Sequence, residues 1–160
     1  MAKDLTALHR VIERAYRGDT ARQGWSHEAD LLSGQRIDIE TLNDIVATPG
    51  SMLLMAEANG SPIGCVQVTD RGDRIAYLGL LCVDPECQAD GLGRRLIAAA
   101  EHTARTEFHA STMTMTVIEQ RVELIAYYRR RGYEPTGQRV DFPVPVEPPL
   151  FMAELAKPMN

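Results

Sequence analysis

The 160-residue chain is long enough for one domain with a sizeable core, and its 44% apolar and 24% charged residues are the proportions of an ordinary soluble globular protein. Its net charge of −5 lacks the basic excess that nucleic-acid binding requires, and its longest apolar runs, such as residues 51–56, are far too short to cross a bilayer. Cys65, Cys82 and Cys87 are odd in number and have no CxxC spacing, which reads as reduced structural thiols, and with no signal-peptide pattern the expected location is the cytoplasm.

The first expected element is a helix, because Leu5, Leu8, Ile12 and Ala15–Tyr16 recur at helical spacing between Asp4 as cap and Gly18 as stop. Residues 19–38 are polar apart from Trp25 and Leu31–Leu32, with a short helix expected over 28–33. Another is expected over Ile39–Ala47, ended by Pro49–Gly50. The texture then changes. "SMLLMAEA" (51–58) reads as a buried strand, Asn59-Gly60 as a type I′ turn and "PIGCVQVTD" (62–70) as the returning strand. Arg71-Gly72-Asp73 turns the chain into "RIAYLGLLCV" (74–83), which completes a three-stranded antiparallel meander. Gly91–Phe108 follows as a helix with Leu92, Leu96, Ala99, Ala100 and Thr103 on its apolar face, then "STMTMTVI" (111–118) as a strand. Val122–Arg131 is a helix stopped by Gly132, its arginines set against the negative end of the helix dipole. "FPVPVEPP" (142–149) reads as an extended loop and "LFMAELA" (150–156) as the last strand. The expected fold class is α+β: a mixed, mostly antiparallel sheet with helices on both faces, in one domain over residues 1–160.

"VDPECQADGLGRRL" (83–96) joins a strand end to a helix through a Pro turn and two glycines one residue apart, with Arg94 and Arg95 beside them. The first N–H groups of a helix have no intrahelical partner and sit at its positive end. With no Cβ at 91 and 93, an anionic oxygen can approach them directly, although a tight turn alone would also use two glycines. A P-loop needs Lys–Ser/Thr after its second glycine, where this chain has Arg94-Arg95. A dinucleotide fingerprint needs a third small residue where Leu96 stands.

"QADGLG" (88–93) has the form Gln/Arg-x-x-Gly-x-Gly/Ala, and "VIEQRVELIAYYRRRGYEPTG" (117–137) contains Tyr-x-x-x-Gly-Phe/Tyr at Tyr128, Gly132 and Tyr133. With both motifs in order and at the expected separation, residues 50–137 resemble the GNAT superfamily, the acyl-CoA-dependent N-acyltransferases. The resemblance implies acetyl-CoA as acyl donor. Its pyrophosphate would lie against the backbone of Gln88, Ala89, Asp90, Gly91, Leu92, Gly93 and Arg94. The pantetheine arm would pair with the main chain of Leu81, Cys82 and Val83, where this strand splays from the one at 111–118. A backbone N–H near Cys82–Val83 would hold the oxyanion, and Tyr128 would protonate the departing thiolate, with Tyr127 as its rival in the neighbouring register. The implied reaction is direct transfer of acetyl to a primary amine of a small molecule or peptide, without a metal. Its alternative is a noncatalytic acyl-CoA-binding module built on the same corner.

The chain departs from its apparent relatives in two places. Several place a Glu on the central strand where this chain has Tyr77, and no carboxylate lies between Arg74 and Val83. A general base, if there is one, would come from elsewhere, with His27 and Glu28 in the polar segment as the best candidates, or be a water. Trp25 could wall a cationic amine, and Tyr77 would border the acceptor side. An exposed loop around one buried Trp would account for residues 25–28 equally well. Glu57 reads as an outward-facing strand residue, and His102 and His109 as structural. Asp84, Glu86 and Cys87 lack metal-ligand spacing. Residues 19–38 and 138–150 are the irregular segments from which an acceptor pocket would be built. Second, the family opens with a strand before its first helix, whereas here Asp4 already caps one. The uncovered edge would be left to a loop or to a partner chain, as in a homodimer.

Overall fold

In the computed structural model, which describes residues 5–13, 39–84, 91–141 and 151–159, the alternating apolar stretches of the chain assemble into one six-stranded sheet. Its elements are α1 (residues 5–13), α2 (Ile39–Ala47), β1 (Ser51–Ala58), β2 (Ser61–Gly72) and β3 (Ile75–Val83), then α3 (Leu92–Glu107), β4 (Thr112–Ile118), α4 (Val122–Arg130), β5 (Glu134–Asp141) and β6 (Phe151–Pro158). The strand order is β1-β2-β3-β4-β6-β5, and β3–β4 is its parallel pair. The meander forms as expected: Asn59 and Gly60 both have positive φ, the geometry a type I′ hairpin demands.

Strand alternation sends side chains to two separate cores. Val66, Val68, Ala76, Leu78, Met113, Met115, Val117 and Leu155 pack against α3 and the Tyr128 side of α4. On the opposite face Cys65 and Cys82 meet Leu8 and Ile12 of α1 and Leu42 of α2. Helices thus cover both faces of the sheet. Gly64 sets how closely α3 approaches, since a Cβ there would lie 2.8 Å from the Cys82 carbonyl oxygen and 3.2 Å from Leu96.

Two expectations need correction. The buried face of α3 is Leu92, Leu96, Ile97, Ala100, Glu101 and Ala104, whereas Ala99 is exposed and Thr103 half-buried. Glu101 belongs to it because a hydroxyl and an ammonium meet its carboxylate inside the fold. Residues 138–141, expected to be irregular, lie in β5, a strand whose residues are all exposed. Its "EPTGQRVD" has no apolar alternation, so only pairing with β6 makes it a strand. The expected helix over 28–33 and the loop over 142–149 lie outside the described residues. Among those described, no strand precedes α1, and β1 and β5 are the outer strands.

Candidate active site

The site begins where a ladder stops. The β3–β4 pairing runs over Ile75↔Thr112, Ala76↔Met113 and Tyr77↔Thr114, and the two strands part beyond it. A bulge on the β2 side assists the divergence: Leu80 and Leu81 stand opposite Val66 alone, and Leu80 has a φ of +46°. A branched residue in that region is strained, as is common beside functional sites. The extra residue also reverses the strand's facing. Ala76 and Leu78 face α3, Leu80 and Cys82 face α1 and α2, and Leu81 and Val83 return to the α3 side. The last stretch of β3, Leu81–Val83, therefore borders an open gap.

At the mouth of this gap α3 begins. Gly91 caps it in the left-handed region (φ +73°), with no side chain bonded to the first turn. The first N–H to find a helical carbonyl is that of Arg95, on Gly91 at 3.3 Å. The preceding N–H groups point out of the helix at its positive end, which suits an anion. Arg94 folds back so that a Cβ at Gly91 would meet its guanidinium at 3.2 Å. Gln88, Ala89 and Asp90, and on the acceptor side Trp25, His27 and Glu28, lie outside the described residues.

The two adjacent tyrosines of α4 go to different places. Tyr128 is buried, edge-on to Tyr127 (5.4 Å, 76°) and to Tyr133 (6.3 Å, 74°). Tyr127 instead carries its hydroxyl to the start of α3, 3.0 Å from where a Cβ of Gly93 would stand, with the Arg131 guanidinium 5.0 Å over its ring. Gly93 thus has a second reason to be glycine that the sequence did not display.

Tyr77 sits on the face opposite α3, and its hydroxyl is 2.7 Å from Thr116 Oγ1, tying β3 to β4 just past their last paired residues. Arg71 lies over its ring at 4.4 Å. The two described cysteines, Cys65 and Cys82, are cross-strand neighbours and buried. The hydrogen bond to Cys82, and then burial, push the Cys65 thiol well above its usual range. A thiol so held is no nucleophile. Glu57 is exposed, as expected of an outward-facing strand residue. Among the described residues no group of three or more His, Cys, Asp or Glu side chains is placed to hold a metal, and no helix is long and apolar enough to cross a membrane.

A mixed sheet whose central parallel pair splays beside a glycine-opened helix is the architecture this chain shares with solved N-acetyltransferases. The profile of the acetyltransferase (GNAT) family matches residues 7–133, and the chain belongs to that family of N-acetyltransferases. An aminoglycoside N(6')-acetyltransferase type 1 from Stenotrophomonas maltophilia is 27% identical over 117 residues, 68% of this chain and 76% of that protein. The ribosomal-protein-S18-alanine N-acetyltransferase of Escherichia coli shares the fold with a TM-score of 0.74 at 18% identity, covering 99% of this chain and 89% of that one. The PaiA N-acetyltransferase of Thermoplasma acidophilum, solved in complex with coenzyme A, has a TM-score of 0.71 at 17% identity, covering 98% and 94%.

Proposed function

We propose that this enzyme transfers acetyl from acetyl-CoA directly to a primary amine of a small, polycationic acceptor. The observation that carries the reading is the β3–β4 gap opening beside the uncapped start of α3. The thioester supplies an activated acyl group, and the chain supplies placement, which alone accounts for up to roughly 7–11 kcal/mol of barrier when two reactants are held in contact. The N–H groups of Leu92, Gly93 and Arg94 receive the pyrophosphate, and the end of β3 at Leu81, Cys82 and Val83 lines the pantetheine arm and the oxyanion. Tyr128 is the proton donor to sulfur. The net charge of −5 and the aminoglycoside acceptor of the relative favour a cationic amine.

Thiol release from acetyl-CoA tests this with an aminoglycoside bearing a 6′-amine, spermidine and an alanine-terminated peptide as acceptors. Turnover is expected with the polycations above the peptide. Tight binding of CoA with no turnover on any amine would instead describe a noncatalytic acyl-CoA-binding module.

Gly93→Val is expected to weaken acetyl-CoA binding at least tenfold, or about 1.4 kcal/mol, by placing a branched side chain where the phosphate approaches. Because the same side chain would press on the Tyr127 hydroxyl, the double variant Gly93→Val/Tyr127→Phe separates the two causes. Titration calorimetry should find the loss retained in the double variant. Full recovery there would assign Gly93 to Tyr127 packing and remove the phosphate from this corner.

A further inference from the structure

The face of the sheet opposite α3 carries a carboxylate, Glu154, beside the β3–β4 gap. Thr116 and Glu154 are directly paired across β4–β6, so both side chains leave the same face about 5 Å apart. That face is the one on which Tyr77 reaches Thr116, opposite the face carrying Met115, Val117 and Leu155. Tyr77, Thr116, Glu154 and Thr136 thus contribute one polar side chain from each of four neighbouring strands, in a row that starts where β3 and β4 part.

The outer strand is deformed around this carboxylate. Pro135 pairs with Leu155 and Arg139 with Ala153, so Thr136, Gly137 and Gln138 stand opposite Glu154 alone. Gly137 takes a φ of +92° to allow it. In this bulge the Gln138 N–H donates to Thr136 Oγ1 at 3.1 Å, and the Thr136 hydroxyl in turn donates to Glu154 Oε1 at 2.9 Å. This donor leaves further lone pairs on the carboxylate for a ligand. Among the described residues, the cations of neighbouring strands have other partners. Lys157 lies on the other face with Glu101, and Arg139 makes a two-pronged pair with Glu119. Arg71 lies on the same face but stacks over the Tyr77 ring at 4.4 Å, on the β3 side of the row.

We propose that Glu154 is the acceptor-binding carboxylate, holding the ammonium group of a polycationic amine at the closed end of the β3–β4 gap. The inference rests on the amine-transfer reading above. Glu154 then holds a second, non-reacting ammonium of the polycation, the attacking amine arrives neutral, and Tyr128 serves the leaving sulfur from the opposite face of the sheet.

The test compares wild type with Glu154→Gln, which keeps the shape and the Thr136 hydrogen bond while removing the charge. With spermidine and with the 6′-amino aminoglycoside, the variant's kcat/KM should fall at least tenfold, mainly through a higher amine KM. The KM for acetyl-CoA should stay within twofold, and the rise of amine KM with added sodium chloride should flatten. Thr136→Val, which removes the aiming hydroxyl but leaves Glu154 intact, should give a smaller rise and serves if the first variant folds poorly. Wild-type amine kinetics in both variants would overturn the proposal while leaving the transfer reading standing. Spermidine binding to the CoA-loaded protein, followed by calorimetry, covers the remaining cases. Glu154-dependent binding without turnover would support the site and sink the transfer reading, and neither binding nor turnover in the wild type would overturn both.

Discussion

Tyr128→Phe is expected to lower kcat by about 10²-fold or more while leaving the fold and the affinity for acetyl-CoA unchanged. The substitution deletes one oxygen. The two edge-on ring contacts of Tyr128, to Tyr127 and Tyr133, depend on the aromatic ring and survive in Phe. As the amine nitrogen forms its bond to the acyl carbon, the C–S bond breaks and sulfur leaves with the electron pair. A phenol, whose ordinary pKa is about 10, is still protonated at neutral pH and can give that sulfur its proton. The nitrogen's surplus proton goes to solvent and restores the phenol. Replacing the leaving thiol with a more acidic one should therefore rescue Tyr128→Phe selectively, because a better leaving group needs the proton less. Tyr127→Phe should do much less, leaving both kcat and the KM for acetyl-CoA near wild type, since its hydroxyl lies against Gly93 at the start of α3. A Tyr128→Phe enzyme turning over at the wild-type rate in single-turnover experiments would assign the proton transfer to water.

The parts of this fold written in local chemistry were legible, and the parts written in pairing were not. Asn59-Gly60 dictates a hairpin by its own backbone preferences, and Gly91 marks a helix start by its lack of Cβ, so the meander and the α3 corner could be read directly. Tyr128 came into view only through the resemblance of Tyr128, Gly132 and Tyr133 to the family's motif. By contrast, β5 is a strand only because β6 lies beside it. Glu154 looked like any outward strand carboxylate in "LFMAELA", and its neighbours Thr116 and Thr136 are 38 and 18 residues away in the chain. No periodicity brings those three together; the β4-β6-β5 order does. Gly64 was missed for the same reason, since the atoms it makes room for belong to β3 and α3. The one sequence signal was indirect: with no carboxylate on β3, a general base had to come from another element or be a water.

Glu101→Ala should have the largest effect on stability. Tyr133 Oη donates to Glu101 Oε2 at 2.7 Å, and Lys157 Nζ donates to both oxygens at 3.0 and 3.1 Å, joining α3, the turn after α4 and β6. Truncating the carboxylate strands a hydroxyl on a fully buried Tyr133 and an ammonium whose side chain is 27% exposed. Breaking a buried pair from one side costs about 3–5 kcal/mol, and the part-exposed lysine reduces this to about 2–4 kcal/mol here. The melting temperature should fall by about 5–10 °C. Glu101→Gln, which keeps an acceptor for Tyr133, should lose less than half as much. The network also carries a pH signature. Burial first, and then the hydrogen bond to Glu101, hold the Tyr133 hydroxyl far above the usual tyrosine range. Its folded pKa exceeds the unfolded value of about 10, so its contribution is complete below that pH and declines as the unfolded chain ionises above it. Chemical denaturation across the alkaline range should show stability falling from about pH 10, and Tyr133→Phe should blunt that fall. Because the Tyr133 N–H also bonds the Tyr128 carbonyl at 3.1 Å, loosening this network should disturb the end of α4 that carries Tyr128, the proposed proton donor. Glu101→Ala at a temperature where it remains folded should therefore show a lowered kcat at unchanged amine KM; full kcat there would confine Glu101 to stability alone.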